Sequence, residues 1–172
     1  SKQGVTDDLG DDENPMRRAV AFCQVIEIQK GGKKHKVSSK QIASMFKAVI
    51  DAYQEKSGEA DYVDLVCEAE HVDGGMNASQ KEEKLSWLKA ELPESTCRVL
   101  SNVRCLSEGV DVPALDAVLF MTPRNSQVDV VQSVGRVMRT APGKKRGYVI
   151  LPVVIPAGVE PHEALNDNET YK

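Results

Sequence analysis

The chain has 172 residues, 41% hydrophobic and 28% charged, with a formal net charge of −4. That length fits one domain with a sizeable core, and the composition is that of an ordinary soluble globular protein. The negative balance argues against a domain held on nucleic acid by bulk charge. No apolar run approaches the ~20 residues needed to cross a bilayer. The acidic, polar start is no signal peptide, so a cytoplasmic protein without membrane contact is expected.

Residues 1–16 carry Asp7, Asp8, Asp11, Asp12 and Glu13 with almost no apolar residue, and read as an acidic linker or disordered tail. Residues 17–156 hold the expected domain, and 157–172 read as a polar tail leading onward. Ala19 to Cys23 has the length and apolarity of a buried strand. Gly31 and Gly32 follow, among Lys30, Lys33, Lys34 and Lys36. Ser38 or Ser39 is positioned to cap a helix to about Glu55, with Ile42, Met45, Phe46, Val49, Ile50 and Tyr53 at helical spacing.

Tyr62 to Val72 predicts a second strand. Asn77 to Glu91 predicts a helix with Leu85 and Leu88 inward and Pro93 past its end. Cys97 to Ser101 and Leu115 to Met121 predict two more strands, Ser126 to Arg139 a helix, and Gly147 to Val154 a fifth strand. Apolar strands alternating with amphipathic helices imply an α/β fold with a mainly parallel sheet. Such sheets place their chemistry beyond the carboxyl ends of the strands.

Cys23, Cys67, Cys97 and Cys105 show no C-x-x-C spacing, and His35, His71 and His162 lie far apart. Reduced, structural thiols are the reading, with a zinc site or redox pair as the alternative. Lys144, Lys145 and Arg146 form a second basic group, and on charge alone both groups read as solvated loops.

Two stretches carry chemistry. In Leu100 to Pro113, Gly109 permits a tight turn that would present Asp111 to sugar hydroxyls, although an Asx-type turn accounts for the same residues. On a helix, Gln132, Gly135, Arg136 and Arg139 stand at i, i+3, i+4 and i+7 and share a face. Two arginines and a glutamine in line suit planar recognition of phosphate oxygens, while a solvated face or an ion pair with Asp129 accounts for them without a ligand.

Together, Gly109-Val-Asp-Val-Pro113, a strand, and Gln132-x-x-Gly-Arg-x-x-Arg139 resemble motifs V and VI of superfamily 2 helicases, in order and spacing. Ala19 to Gln24 sits where motif IV opens the second motor domain. His71-Val-Asp-Gly-Gly-Met76 resembles the strand-end turn before a helix that touches the nucleic-acid backbone. The resemblance runs from about Arg18 to Val154 and is nearest the restriction-enzyme-like and predicted DNA helicase branches. DEAD-box RNA helicases usually carry His-Arg-x-Gly-Arg where this chain has Gln132-Ser-Val-Gly-Arg136, which favours duplex DNA. Val103 stands near where many relatives carry a hydroxyl residue.

The resemblance implies a three-layer RecA-like domain, the second of two, with ATP and Mg2+ in the cleft between them. No G-x-x-x-x-G-K-[ST] loop or acidic box is present, and in this family both belong to the first RecA-like domain. Asp111 would contact the ribose beside Gly109, Gln132 and Arg136 would approach the γ-phosphate, and Arg139 would be an arginine finger. Asp73, Gly74, Asn102, Lys33 and Lys34 would meet nucleic acid. The alternatives are a non-catalytic helicase-like scaffold, which has no need of that set, and a Rossmann-type transferase, against which the absent glycine-rich loop weighs.

Overall fold

The computed structural model describes residues 16–24, 38–57, 66–103, 112, 115–122, 127–152, 155 and 157–160. Its strands are β1 (Arg18–Phe22), β2 (Val66–Asp73), β3 (Thr96–Val103), β4 (Ala117–Phe120) and β5 (Tyr148–Ile150). All are parallel, in the order β2-β3-β1-β4-β5. The helices are α1 (Ser39–Ser57), α2 (Ala78–Lys89) and α3 (Gln127–Val137).

Strand β1 is apolar throughout its buried part because it is interior in both directions, paired on each side and covered on each face. Val20 and Phe22 point into one core with Val72, Leu88, Leu100, Val118, Phe120 and Val137, and Leu85, Val130 and Val134 of α2 and α3 pack against it. Phe22 and Phe120 stack with ring centroids 5.4 Å apart. Ala19 and Ala21 point the other way, with Cys67, Cys97, Val99, Ala117 and Leu119, under Ile42, Phe46 and Ile50 of α1. The result is the expected three-layer, RecA-like arrangement.

Cys67 and Cys97 are in-register neighbours on β2 and β3. Each is a free, buried thiol. A hydrogen bond with Cys97, together with burial, pushes the Cys67 thiol far above its usual range. These sulfurs pack as small hydrophobes.

Helix α1 begins where Ser38 Oγ accepts the Gln41 N–H at 3.4 Å. Its inward stripe is narrower than the six positions the spacing predicts. Met45 is 56% and Val49 61% exposed. The small side chains beneath α1 admit one ridge of residues spaced by four, 42-46-50, and leave the adjacent row in solvent. Helix α2 starts with a capping box, in which Asn77 Oδ1 accepts the Gln80 N–H at 2.9 Å and Gln80 Oε1 accepts the Asn77 N–H at 3.0 Å. Strand β5, expected to reach Val154, ends at Ile150 beside the four-residue β4 and just before Pro152.

At the amino edge of the sheet, Asp116 Oδ2 accepts the backbone N–H groups of Arg17 and Arg18, each at 2.9 Å. The arginine side chains reach the carbonyl groups left over at the end of α2. Arg17 donates to Leu92 and Pro93 at 2.6 Å each, and Arg18 to Leu88 at 3.0 Å and Ala90 at 2.8 Å. Arg98 adds a bond to the Trp87 carbonyl, lies over the Trp87 ring, and pairs with Glu68 at 2.7 Å.

Two substitution tests follow from this packing. Hydrogen bonds to a charged acceptor contribute about 1.5–3 kcal/mol each. Asp116→Ala is therefore expected to destabilise the chain by about 3 kcal/mol, read as a lower urea midpoint at unchanged slope. Gly135 within α3 and Gly147 just before β5 should respond in opposite directions. A Cβ on Gly147 would lie 2.5 Å from both Cγ1 and the carbonyl oxygen of Val137, whereas one on Gly135 meets nothing within 4 Å. Gly147→Ala should cost about 3 kcal/mol by overpacking, and Gly135→Ala should gain up to about 1 kcal/mol of helix stability. Equal shifts in thermal unfolding for the two would contradict the packing at the α3–β5 junction.

Candidate functional site

The predicted site residues divide between the two edges of the sheet. At the carboxyl edge, Asp73 closes β2 and is only 9% exposed. Its Oδ1 accepts the Gly75 N–H at 2.8 Å, and its Oδ2 lies 3.8 Å from His71 Nε2. The carboxylate shapes the turn as an Asx motif. Gly74, next in the chain, is exposed with open space around it. It precedes the capped start of α2.

Asn102, expected at a nucleic-acid contact, is fully buried. Its Nδ2 donates to the Ala21 carbonyl at 3.2 Å, and its backbone carbonyl accepts the Cys23 N–H at 2.9 Å. That corrects the expectation of a surface role: the amide ties the ends of β1 and β3 together from inside. Lys33, Lys34, Gly109 and Asp111 lie outside the described residues. The segment after Asp111 is held down by Val112 and Leu115, both buried in the α2–α3 face of the core.

The arginine helix corrects a second expectation. Helix α3 runs from the carboxyl edge back across the sheet, so its last turn stands at the amino edge, beside the entries to β4 and β5. The chemistry expected beyond the carboxyl ends is thus split, with the arginines at the opposite edge. The helix also stops at Val137, two residues short. Gln132 is exposed in mid-helix and Arg136 is half-buried one turn further. Arg139 belongs to the closing turn, where its N–H reaches the Arg136 carbonyl at 3.3 Å. The two arginines remain adjacent. Burial first, and then the Arg139 charge, hold Arg136 below the usual guanidinium range. A guanidinium does not deprotonate in proteins, so both residues keep their positive charge.

Past Arg139 the chain lines an open cleft of about 290 Å³, walled by Val137 to Thr140 and Lys144 to Gly147. Lys144 is not the solvated residue that its basic cluster suggested. Its ammonium donates to the carbonyls of Leu115 at 2.6 Å, Val137 at 2.5 Å and Arg139 at 2.9 Å. Burial lowers its pKa, partly offset by Asp116. The sequence signal for this role was present, because lysine just past a helix end commonly takes up the last carbonyls. Among the described residues, no cluster of three or more His, Cys, Asp or Glu could hold a metal ion. No helix among them is long and apolar enough to cross a membrane.

Comparison with known proteins places the chain in a family. The helicase conserved C-terminal domain family matches residues 12–141. The solved structure of the ATP-dependent Type ISP restriction-modification enzyme LlaBIII bound to DNA aligns with 93% of this chain and 9% of its own, at 43% identity and a TM-score of 0.73. A protein named as a helicase in Sulfolobus islandicus filamentous virus is 32% identical over 82 residues, 48% of this chain and 14% of that protein. A probable helicase of African swine fever virus is 39% identical over 57 residues, 33% of this chain and 7% of that protein. The chain therefore spans a small part of each relative's length. Because the family's match covers most of its residues, the chain belongs to the helicase conserved C-terminal domain family.

Proposed function

We propose that this chain is the second motor domain of an ATP-driven DNA translocase or helicase, supplying the arginines that act on ATP held mainly by a first motor domain. The observation that carries the reading is the Arg136–Arg139 pair, two neighbouring guanidiniums of which Arg136 is half-buried and Arg139 lines a cleft shared with Lys144, Lys145 and Arg146. In such a site the negative charge that develops on a transferring phosphoryl group is stabilised by groups already in place. Mg2+, supplied with ATP and held by acidic residues of the first domain, would neutralise part of the phosphate charge. Among this chain's own groups, Arg136 and Gln132 approach the γ-phosphate and Arg139 completes the set on closure. The carboxylate of Asp111, with Gly109 beside it, receives ribose hydroxyls.

Nucleic acid is assigned to the opposite edge. The exposed backbone from Gly74 to the capped start of α2 would meet phosphates, assisted by Lys33 and Lys34, while Asp73 and Asn102 hold the turn and the strand ends in place. The preference for duplex DNA rests on the Gln132 motif and on the similarity to LlaBIII. Separate edges for nucleotide and nucleic acid allow domain closure to couple them.

This chain alone is expected to hydrolyse no ATP above background, with or without DNA. Turnover that copurifies with the chain and survives Arg136→Ala would sink the half-motor reading. In the full-length enzyme, Arg139→Ala should slow single-turnover hydrolysis by about 10³-fold while ATP binding stays within several-fold of normal. Arg139→Lys should restore little, because it returns the charge without the planar fork. Near-normal rates for both Arg139→Ala and Arg136→Ala would make this helix end a structural face.

A further inference from the structure

We infer that Lys144 is a positioning residue for hydrolysis, fixing Arg139 relative to Leu115 at the entry to β4. The inference rests on the reading of Arg139 as the arginine that serves the phosphate. Its ground is a convergence of three carbonyls, from two separate pieces of chain, on one ammonium. Leu115 follows the Gly109–Pro113 stretch, Val137 is the last residue of α3, and Arg139 lies in the turn beyond it. Each offers a carbonyl to the Lys144 ammonium, at 2.6, 2.5 and 2.9 Å respectively. An ammonium has three donors in tetrahedral array, so this contact uses all of them. The planar fork of arginine cannot converge on three carbonyls from one side.

Lys144 is itself aimed by a stiff turn. Its N–H bonds to the Ala141 carbonyl at 3.0 Å, and Gly143 sits at φ +77°. Ala141-Pro142-Gly143-Lys144 thus has the proline and glycine positions of a type II turn, which returns the chain toward the end of α3. Gly147 then allows the following segment to close against Val137, where a Cβ would lie 2.5 Å from the carbonyl oxygen. Arg139 lies just past the helix, where its N–H reaches the Arg136 carbonyl at 3.3 Å, and the bond from Lys144 takes up its carbonyl as well. A reacting group misplaced by about 1 Å can lose about 10²-fold in rate.

The test uses the full-length enzyme and compares Lys144→Met and Lys144→Arg with Arg139→Ala, alone and combined. Folding is checked by thermal unfolding, and kcat and KM for ATP are measured with DNA present. Lys144→Met should lower kcat by about 10²-fold with KM within about threefold of normal. Lys144→Arg retains the charge and fills much of the space, so it should fold, yet its kcat should stay at least about 10-fold low. In the Arg139→Ala background, Lys144→Met should add less than about a threefold further loss, because residues acting as one unit are not additive. Wild-type turnover by folded Lys144→Arg, or a full independent loss in the double variant, would overturn the inference and leave Arg139 standing. Near-normal turnover by Arg139→Ala would instead remove the reading beneath it. If Lys144→Met does not fold, Lys144→Arg alone decides.

Discussion

Strand β1 is hydrogen-bonded on both sides and buried on both faces, so the point at which it starts determines where its neighbours start. That point is set by the Asp116 carboxylate, which takes the first two N–H groups of the strand. Asp116 is also the residue before β4, and its own N–H and carbonyl bond to Arg18 and Tyr148. One residue therefore joins the entries of β1, β4 and β5. Arg17, whose carbonyl takes the Arg98 N–H at 2.7 Å, extends the line to β3. The amino edge is consequently the most tightly specified part of the sheet. It is also the edge that carries Arg139.

The same edge shows two uses of positive charge. Helices α2 and α3 both end there, and each helix end presents carbonyl groups and the negative end of its dipole. At α2, Arg17, Arg18 and Arg98 are spent on carbonyls and, through Arg98, on a carboxylate. At α3 a single lysine takes up the carbonyls. Beside it, burial first and then the nearby Arg139 charge lower the pKa of Arg136. A chain of net charge −4 thus keeps a local positive site without a basic surface. Bulk charge was a poor guide to function here because the relevant cations are few and locally concentrated.

What the sequence revealed and what it hid follow from the range of the interactions involved. The strands, the caps at Ser38 and Asn77, and the layered fold were legible, since they depend on local apolar runs and on side chains reaching three residues along. The width of the α1 stripe was not. Met45 and Val49 are as apolar as Phe46, and only the alanines and cysteines of distant strands decide which row fits. Asn102 was misplaced because a polar residue at a strand end looks like a surface contact until its Ala21 partner, 81 residues away, is seen. Lys144 was legible only in part, since a lysine past a helix end suggests carbonyl contacts without saying which. Of its three acceptors, Leu115 lies 29 residues back, and a run of three basic residues conceals which one turns inward.

Gly135 links the fold to the proposed motor most directly. Glycine in mid-helix costs roughly 1 kcal/mol relative to alanine, and here a Cβ would meet nothing within 4 Å. Nothing inside the described fold repays that cost. The glycine lies on α3 among side chains that solvent reaches freely, with Val128 63%, Val131 69% and Met138 66% exposed. An apolar row flanking a bare patch of helix backbone, beside Gln132 and the arginine pair, has the form of a surface made for close approach. Under the proposed function, the first domain with its nucleotide would be the surface that packs against that patch.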